Sequence, residues 1–159
     1  MDNSGDRFVY LADRVDLIPT LAGWFYEEWG HNSTDLTPAT TEGKLRQRLN
    51  RDRVPLVLVT LRDGSPIASA SLKIQEMETH PQYQHWLGSV YVLPEFRGKG
   101  IGSRLVQYSV NEAKRLAVHD LYLYTRSREN FYTRLGWKPL ERPLYHGRRV
   151  VIMKQILSV

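Results

Sequence analysis

Three glycines and two cationic side chains occur within the six residues Arg97–Gly102. An apolar segment that ends at Val92 precedes this run, and a helical pattern of apolar residues follows it. Because glycine has no Cβ, the backbone of such a loop can approach a ligand closely and adopt positive φ. The helix that begins in the loop offers unpaired N–H groups and a partial positive charge, to which Arg97 and Lys99 add two full charges. The run therefore predicts a binding site for a diphosphate.

A plain turn and two common nucleotide-binding motifs fit this glycine-rich run less well. A turn that only joins a strand to a helix needs a single glycine, and the pattern GxxxxGK[ST] is absent. The dinucleotide fingerprint GxGxxG would need a glycine where Ser103 stands. Asp120 precedes the strand predicted at Leu121–Tyr124, whereas a ribose-binding acid follows a strand. The pattern that fits is [Q/R]-x-x-G-x-[G/A], and it closely resembles the acetyl-CoA loop of the GNAT superfamily of N-acetyltransferases.

The resemblance implies how acetyl-CoA, the co-substrate, would bind. In GNAT proteins two central strands splay apart and hold the pantetheine arm between them; here these strands are Trp86–Val92 and Leu121–Thr125. The backbones of Val90 and Val92 would pair with the pantetheine amides, as an added edge strand does, while their side chains still pack in the core. The residues expected at the diphosphate are Arg97, Gly98, Lys99, Gly100, Ile101, Gly102 and Ser103.

The elements that must position this loop follow from periodicity and turn signals. Apolar residues from Ile18 to Trp29 recur at helical spacing, and Asp63-Gly64 between two apolar runs indicates a hairpin. A second helix is expected over Glu42–Leu49, capped by Thr40 or Thr41. The remaining elements are strands over Phe8–Ala12, Pro55–Leu61, Ile67–Ile74, Trp86–Val92, Leu121–Thr125 and Val150–Leu157, and helices over Ile101–Leu116 and Arg128–Leu135.

The order of these elements predicts a single mixed α/β domain over residues 1–159. The helix after the loop should bury one face, made of Leu105, Val106, Val110, Ala113 and Ala117. The resemblance extends over roughly Phe8 to Leu157. It implies the GNAT fold, in which a mixed central sheet of about six to seven strands carries about four helices and acetyl-CoA lies between the splayed central strands.

Acetyl transfer to an amine needs a neutral amine, donors for the oxyanion and stabilisation of the departing thiolate. The segment Asn130–Trp137 resembles the family's LYxxLGF stretch, whose tyrosine points its hydroxyl at the cofactor sulfur. Tyr132 holds that position, and a phenol with a pKa of about 10 is a suitable acid to protonate the thiolate leaving group; its alternative role is core packing. The resemblance suggests the backbone N–H of Val92 or its neighbour as oxyanion donor. Many relatives carry an asparagine where this chain has Thr125, so Thr125 or Asn130 would have to replace it.

The general base is not specified by one residue. Some relatives place a glutamate on the strand assigned here to Trp86–Val92, but that part of the chain has no acid. Glu76 and Glu78 lie in the loop before this strand, which should border the acceptor channel, and Glu28 on the first helix is a further candidate. Each of these carboxylates could equally be a solvated surface charge. A chain of water molecules to bulk solvent could also accept the proton.

The composition excludes several other chemistries. The chain has no cysteine, which rules out disulfides, thiolate metal sites and a cysteine nucleophile. Its five histidines show no metal-binding spacing, so we expect no metal. The first residues are polar, unlike a signal peptide, and no apolar run approaches the ~18 residues of a membrane span. We therefore expect a cytoplasmic protein without a membrane partner.

The net charge of +5 raises the alternative of a nucleic-acid-binding module. Two groups of arginines carry much of it, Arg46, Arg48, Arg51 and Arg53 in one and Arg142, Arg148 and Arg149 in the other. However, a basic surface also speeds the capture of coenzyme A, which brings several phosphates. Nucleic acid is therefore the less favoured partner.

The sequence predicts an acetyl-CoA-dependent N-acetyltransferase that transfers acetyl directly to a primary amine, of a small molecule or a peptide N-terminus, in a ternary complex. The alternative is a noncatalytic acyl-CoA-binding regulatory domain. A weaker similarity to the branch that includes the actin N-terminal acetyltransferase rests on Trp24–Trp29, Phe131–Trp137 and Tyr145–Arg148, and it suggests acidic peptide N-termini. An aromatic slot for the acceptor could be formed by Trp24, Tyr26, Trp29 and Trp86, although core packing is the favoured role for these residues. Dimers are common in the family, so a homodimer is a further expectation.

Overall fold

A seven-stranded mixed sheet forms the centre of the computed structural model, which describes residues 5–30 and 36–157. The helices are α1 (Ile18–Trp29), α2 (Pro38–Arg46), α3 (Ile101–Arg115) and α4 (Glu129–Arg134). The strands are β1 (Asp6–Tyr10), β2 (Leu56–Arg62), β3 (Ser65–Ile74), β4 (His85–Val92), β5 (Asp120–Thr125), β6 (Lys138–Glu141), β7 (Leu144–Tyr145), β8 (Arg148–Arg149) and β9 (Val151–Ile156). The strand order is β1-β2-β3-β4-β5-β9-β6, and β7 and β8 form a separate hairpin.

The centre of the sheet contains its one parallel neighbour pair within the described ranges, β4 beside β5. These two strands pair only where Trp86 lies opposite Tyr122. A β-bulge follows on β4, because Ser89 and Val90 together lie opposite a single residue of β3. Ser89 has a φ of 50°, which is uncommon for a residue with a side chain. Since a bulge bends its strand, β4 diverges from β5 beyond this point.

The two faces of the sheet carry different helices. In β2, Leu56 and Leu58 belong to the core cluster that includes α3, whereas Val57 and Val59 pack with residues of α1 and α2. This alternation follows from the two-residue period of a strand. Because β2 is buried on both faces, its sequence is an almost continuous apolar run.

The predicted fold class is confirmed, and so are most of the predicted elements. α1 begins at Ile18 and ends at Trp29, and α3 begins at Ile101. The three strands β6, β7 and β8 were not predicted, because each has at most four residues and lies next to proline, glycine or charged side chains. Among the described residues, no helix is long and apolar enough to cross a membrane.

The predicted bounds of the second helix are wrong. α2 covers Pro38–Arg46 rather than Glu42–Leu49, and its N-cap is Thr37 rather than Thr40 or Thr41. The Thr37 hydroxyl accepts a hydrogen bond from the Thr40 backbone N–H, and the Thr40 hydroxyl accepts one from the Thr37 N–H. This capping box, with proline in the first turn, sets the start of the helix.

Two residues of the α3 segment also differ from the prediction. Ala117 is exposed, because the helix ends at Arg115 and Ala117 adopts a φ of 64°. Glu112 is buried, with 8% of its surface exposed. Its carboxylate accepts a hydrogen bond of 2.5 Å from the Tyr10 hydroxyl and pairs with Arg115. A buried charge with such partners avoids the cost of burying it alone.

Candidate active site

A cleft of about 1520 Å³ opens where β4 and β5 diverge. Its walls include backbone and side chains from Leu87–Val92 on one side and from 123–128 on the other. The glycine-rich loop closes one end. Lys73 and Glu76 line the wall near Gly88 of β4, away from this loop. The volume exceeds the roughly 300–1,000 Å³ of a pocket for one drug-sized ligand. The cleft therefore has room for a long ligand or for two ligands together.

The glycine-rich loop has the geometry that phosphate binding requires. Gly98 and Gly100 have φ values of 75° and 82°, which residues with a Cβ rarely adopt. Gly100 is the N-cap of α3 and provides no side-chain cap, so the first-turn N–H groups are open to a ligand. A Cβ on Gly102 would lie 3.6 Å from Val92 Cγ2 and 3.7 Å from Phe131 Cζ, so the helix start packs closely on the cleft wall.

Most of the residues predicted at the loop line the cleft. They are Val90, Val92, Arg97, Gly98, Gly100, Gly102 and Ser103. The Ile101 side chain is 2% exposed and belongs to the core below the sheet. The Lys99 side chain is exposed, with its Nζ 5.9 Å from the centre of the Phe96 ring, and lies outside the lining. For Ile101, only the backbone N–H in the first turn of α3 can contact a diphosphate.

Arg97 is held at the mouth of the cleft by three contacts. Its Nε donates a hydrogen bond of 2.7 Å to the Val92 carbonyl, and its Nη2 lies 3.4 Å from a carboxylate oxygen of Glu28. Its guanidinium lies 5.4 Å from the centre of the Tyr91 ring. These contacts position a cation beside the loop. They also use one of the two lone pairs of the Val92 carbonyl, so a pantetheine amide would share that carbonyl with Arg97.

Tyr132, on α4, is half-buried in the cleft wall. Its ring packs edge-on against Phe131 and Trp137, at centroid distances of 4.9 and 6.2 Å. Burial raises the pKa of Tyr132 to about 12, and the charge of Arg128 opposes this shift. Among the described residues its hydroxyl has no hydrogen-bond partner. The phenol is therefore protonated at neutral pH and free to donate a hydrogen bond.

Thr125 connects β5 to α4 in place of the asparagine found in many relatives. Its hydroxyl accepts a hydrogen bond of 3.0 Å from the backbone N–H of Arg128, the N-cap residue of α4. Asn130 is exposed and lies outside the cleft lining. Of the two candidates, Thr125 is thus the one that anchors the helix carrying Tyr132.

The three candidate carboxylates lie in different surroundings. Glu76 lines the cleft, and its Oε2 is 2.8 Å from Lys73 Nζ, with the Glu76 side chain 20% exposed. Glu78 accepts a hydrogen bond of 2.6 Å from the Tyr145 hydroxyl and lies 2.9 Å from His146 Nε2. The Tyr145 hydrogen bond lowers the pKa of Glu78, which lies outside the cleft lining. Glu28 is at the Arg97 end of the cleft. Glu76 is thus the one of these three carboxylates that lines the cleft away from the Arg97 end.

The Lys73–Glu76 pair lies directly over Gly88 on β4. A Cβ on Gly88 would lie 2.6 Å from Glu76 Oε2 and 3.2 Å from Lys73 Nζ. Because Gly88 has no side chain, the Lys73–Glu76 pair can pack directly against the backbone of β4. Sequence reasoning did not identify Lys73 or Gly88, although a lysine in the apolar strand β3, three residues before a glutamate, was a visible signal.

The aromatic residues expected around the acceptor are not gathered in one slot. Trp29 lines the cleft and is 38% exposed. Trp86 is fully buried, and its Nε1 donates a hydrogen bond to the Tyr83 carbonyl, so its prediction as a slot residue is not supported. Trp24 stacks on Tyr91 at 5.2 Å. Core packing therefore explains Trp24 and Trp86 better than acceptor binding does.

The electrostatic character of the cleft is basic. The acidic residues that line it are Glu28 and Glu76, and the basic ones are Lys44, Lys73, Arg97, Arg126, Arg128, Arg148 and Arg149. An excess of cations in a cleft attracts anionic ligands and raises their rate of capture. No group of three or more His, Asp or Glu side chains within residues 5–30 and 36–157 is placed to hold a metal ion.

The arginine groups do not form one nucleic-acid-binding face. Arg51 pairs with Asp13 at 2.7 Å and Arg142 with Glu129 at 2.7 Å. Arg148 and Arg149 line the cleft. Members of the two groups therefore lie in different surroundings, some in ion pairs and some in the cleft.

Comparison with known proteins decides the family. Residues 17–137 match the acetyltransferase (GNAT) family. The chain belongs to this family. The resemblance seen in the sequence is thereby confirmed, and the GNAT chain is also 32% identical over 87 residues to the aminoalkylphosphonate N-acetyltransferase of Salmonella typhimurium. That match covers 50% of this chain, and it spans about half of the relative's own length, 54%.

Solved structures show the same fold over nearly the whole chain. The yncA protein of Salmonella typhimurium, solved with its cofactor acetyl-CoA, has a TM-score of 0.75 at 20% identity and matches 97% of this GNAT chain and 95% of its own. An aminoglycoside 6′-N-acetyltransferase complexed with coenzyme A has a TM-score of 0.75 at 16% identity, over 96% and 98% of the two chains. The ribosomal-protein-alanine N-acetyltransferase of Brucella melitensis has a TM-score of 0.70 at 24% identity, over 96% and 99%.

Proposed function

We propose that this GNAT protein is a single-domain, acetyl-CoA-dependent N-acetyltransferase, and that it transfers acetyl directly to a primary amine bound in the same complex. The observation that carries the proposal is the continuous cleft between β4 and β5. The glycine-rich loop lies at one end, and the Lys73–Glu76 pair lies on the wall over Gly88, the residue before the bulge. Two substrates can therefore occupy the cleft at the same time, as direct transfer requires.

The loop end of the cleft supplies the binding groups for coenzyme A. The first-turn N–H groups of α3 and the guanidinium of Arg97 favour a diphosphate. The β4 backbone beyond the bulge has no β5 partner among the described residues, so Val90 offers its amide groups to the pantetheine arm. When bound, acetyl-CoA supplies the activated acetyl group as a thioester.

Tyr132 is proposed to stabilise the thiolate by donating a hydrogen bond to it. The pKa of Tyr132 is raised to about 12, whereas an ordinary thiol has a pKa of roughly 8.5. Complete proton transfer from this phenol to a thiolate is therefore unfavourable. A hydrogen bond needs no transfer, and donors to an ionised acceptor contribute about 1.5–3 kcal/mol.

Glu76 is proposed to receive the amine. It is the candidate carboxylate that lines the cleft over Gly88, away from the glycine-rich loop, and Lys73 fixes its orientation. A carboxylate there attracts an ammonium group and offers an acceptor for its proton. Glu78 is proposed to have a structural role, because Tyr145 and His146 hold it outside the lining.

The relatives suggest different acceptors. Their names specify an aminoalkylphosphonate, an aminoglycoside and the alanine of a ribosomal protein. A shared fold does not select among these substrates. The cytoplasmic location and the homodimer expected from the sequence stay predictions.

The test is thiol release from acetyl-CoA with a panel of small amines, amino acids, polyamines and short peptides. The chain has no cysteine, so a thiol reagent reports only the coenzyme A that is set free. We expect turnover with one class of amine. The alternative, a noncatalytic acyl-CoA-binding domain, predicts thermal stabilisation by acetyl-CoA without thiol release from any acceptor, and that result would overturn the proposal.

A further inference from the structure

A side pocket of about 160 Å³ opens beside the cleft, between α1, α2 and the end of β3. This volume is well above the roughly 15 Å³ that one water molecule needs. The buried side chains of Phe25, Thr41 and Leu45 form its floor. Lys73 and Glu76 line both the side pocket and the cleft. The two spaces therefore meet at the Lys73–Glu76 pair.

The side pocket contains more positive than negative charge. Its lining includes the cations Lys44, Arg48 and Lys73 and one carboxylate, Glu76. Glu76 is hydrogen-bonded to Lys73. Within the part of the chain that the structure describes, the side chains of Lys44 and Arg48 have no hydrogen bond or ion pair of their own.

Of these two cations, Arg48 is the one whose charge is partly buried, whereas Lys44 is exposed. Arg48 is half-buried, and burial lowers its pKa because its charge is partly removed from water, with an opposing contribution from Glu76. Arginine nevertheless keeps its charge at neutral pH. A partly desolvated guanidinium that no anion contacts by a hydrogen bond is unfavourable, and an anion with two or more oxygens would satisfy its fork of N–H donors.

We propose that the side pocket binds an oxyanion group of the acceptor, and that the acceptor is a small primary amine that also carries a carboxylate or phosphate-type group. This inference rests on the proposed function. Arg48 and Lys44 hold the acid, and Glu76, on the wall shared with the cleft, holds the amine. The arrangement matches a molecule with a positive and a negative end. The closed floor of buried side chains favours a small acceptor over a peptide.

The first experiment compares amines that differ only in an acidic group. Propylamine is paired with β-alanine and ethanolamine with phosphoethanolamine, and kcat/KM is measured by thiol release. We expect the acid to raise kcat/KM by about 10- to 100-fold in at least one pair, the range given by one hydrogen bond to a charged group. The pair that gains more identifies the acid as a carboxylate or a phosphate.

A matched pair of variants assigns the effect to the pocket. Arg48→Met keeps most of the side-chain length and removes the charge, and we expect it to abolish most of the preference for the acidic amine. Arg46→Met removes the same charge from an exposed position of α2 outside the pocket, and we expect it to retain the preference. Equal loss in both variants would indicate a long-range charge effect and would overturn the inference.

A binding measurement separates failure of this inference from failure of the proposed function. Calorimetry of β-alanine and phosphoethanolamine with the coenzyme A-loaded protein detects acceptor binding without turnover. Binding that Arg48→Met abolishes supports the pocket even if no amine is acetylated. Turnover of neutral amines with no gain from the acid keeps the proposed function and overturns the inference. Preference for a peptide with an acidic N-terminus over both small acids would overturn the restriction to small acceptors.

Discussion

Replacing Tyr132 by phenylalanine tests how the thiolate is stabilised. The pKa of Tyr132 is raised to about 12 by burial, well above the pKa of an ordinary thiol, so complete proton transfer to the thiolate is unfavourable. The hydroxyl therefore acts as a hydrogen-bond donor, worth about 1.5–3 kcal/mol to an anion. We expect Tyr132→Phe to lower kcat by about 10- to 100-fold while the KM for acetyl-CoA changes little.

The assay is thiol release at saturating acetyl-CoA and amine, with thermal unfolding measured in parallel. The Tyr132 hydroxyl has no hydrogen-bond partner among the described residues, so its removal should not lower the melting temperature. Tyr108→Phe is the matched control. Tyr108 stacks on Phe8 at 4.2 Å and lies outside the cleft lining, so the same deletion there should leave kcat unchanged.

Three results would refute this reasoning about Tyr132. Equal kcat for the variant and the wild type would remove the hydroxyl from the reaction. A loss confined to acetyl-CoA affinity would indicate that Tyr132 only packs against the ligand. The cleft also contains Tyr124, whose pKa is raised to about 12 mainly by burial. A larger loss of kcat in Tyr124→Phe would reassign the donor to that residue.

The remaining predictions concern the loop, the amine end of the cleft and the start of α4. Gly100→Asp should weaken acetyl-CoA binding by about 100-fold or more, because its carboxylate would face the diphosphate. The control is Gly64→Asp, at the same φ of 82° in a hairpin turn, which should leave the thermal stabilisation by acetyl-CoA unchanged. Gly88→Ala should displace the Glu76 carboxylate, because the new Cβ would lie 2.6 Å from it. We expect kcat/KM for the amine to fall by about 10- to 100-fold, and an unchanged kcat/KM would exclude Glu76 from acceptor binding. Thr125→Val removes the acceptor for the backbone N–H of Arg128, the N-cap residue of α4, and should cost about 1 kcal/mol, a fall of roughly 2–4 °C in Tm. No change in Tm would indicate that water replaces this hydrogen bond.

Features with a local cause could be predicted from the sequence. The glycine-rich loop depends on residue types within a few positions, and Gly98 and Gly100 adopt the positive φ that such a loop requires. The apolar period of α1 and α3 gave their first residues. The start of α2 also had a local signal, a threonine before a proline at Thr37, but Thr40 and Thr41 are equally suitable cap residues by type.

Features that depend on distant residues could not be predicted. Glu112 is buried because Tyr10, 102 positions earlier, donates a hydrogen bond to it. The side pocket brings Arg48 from the segment after α2 beside Lys73 at the end of β3. Periodicity contains no information on such pairs, since it describes which face of an element is apolar and not which element that face meets.

The Lys73–Glu76 pair bears on the choice between an enzyme and a noncatalytic acyl-CoA-binding domain. The Lys73 side chain is 12% exposed, and burial lowers its pKa because the charged form is desolvated. A largely buried ion pair contributes little net stability, and apolar side chains of similar size often stabilise a fold at least as well. Stability alone therefore gives no reason for a charged pair over Gly88, on the wall before the bulge. A domain that only bound acyl-CoA would need charge at the loop end, where the phosphates lie. Charge on the far wall of the cleft is useful when a second, polar substrate binds there, and this distribution favours the enzyme.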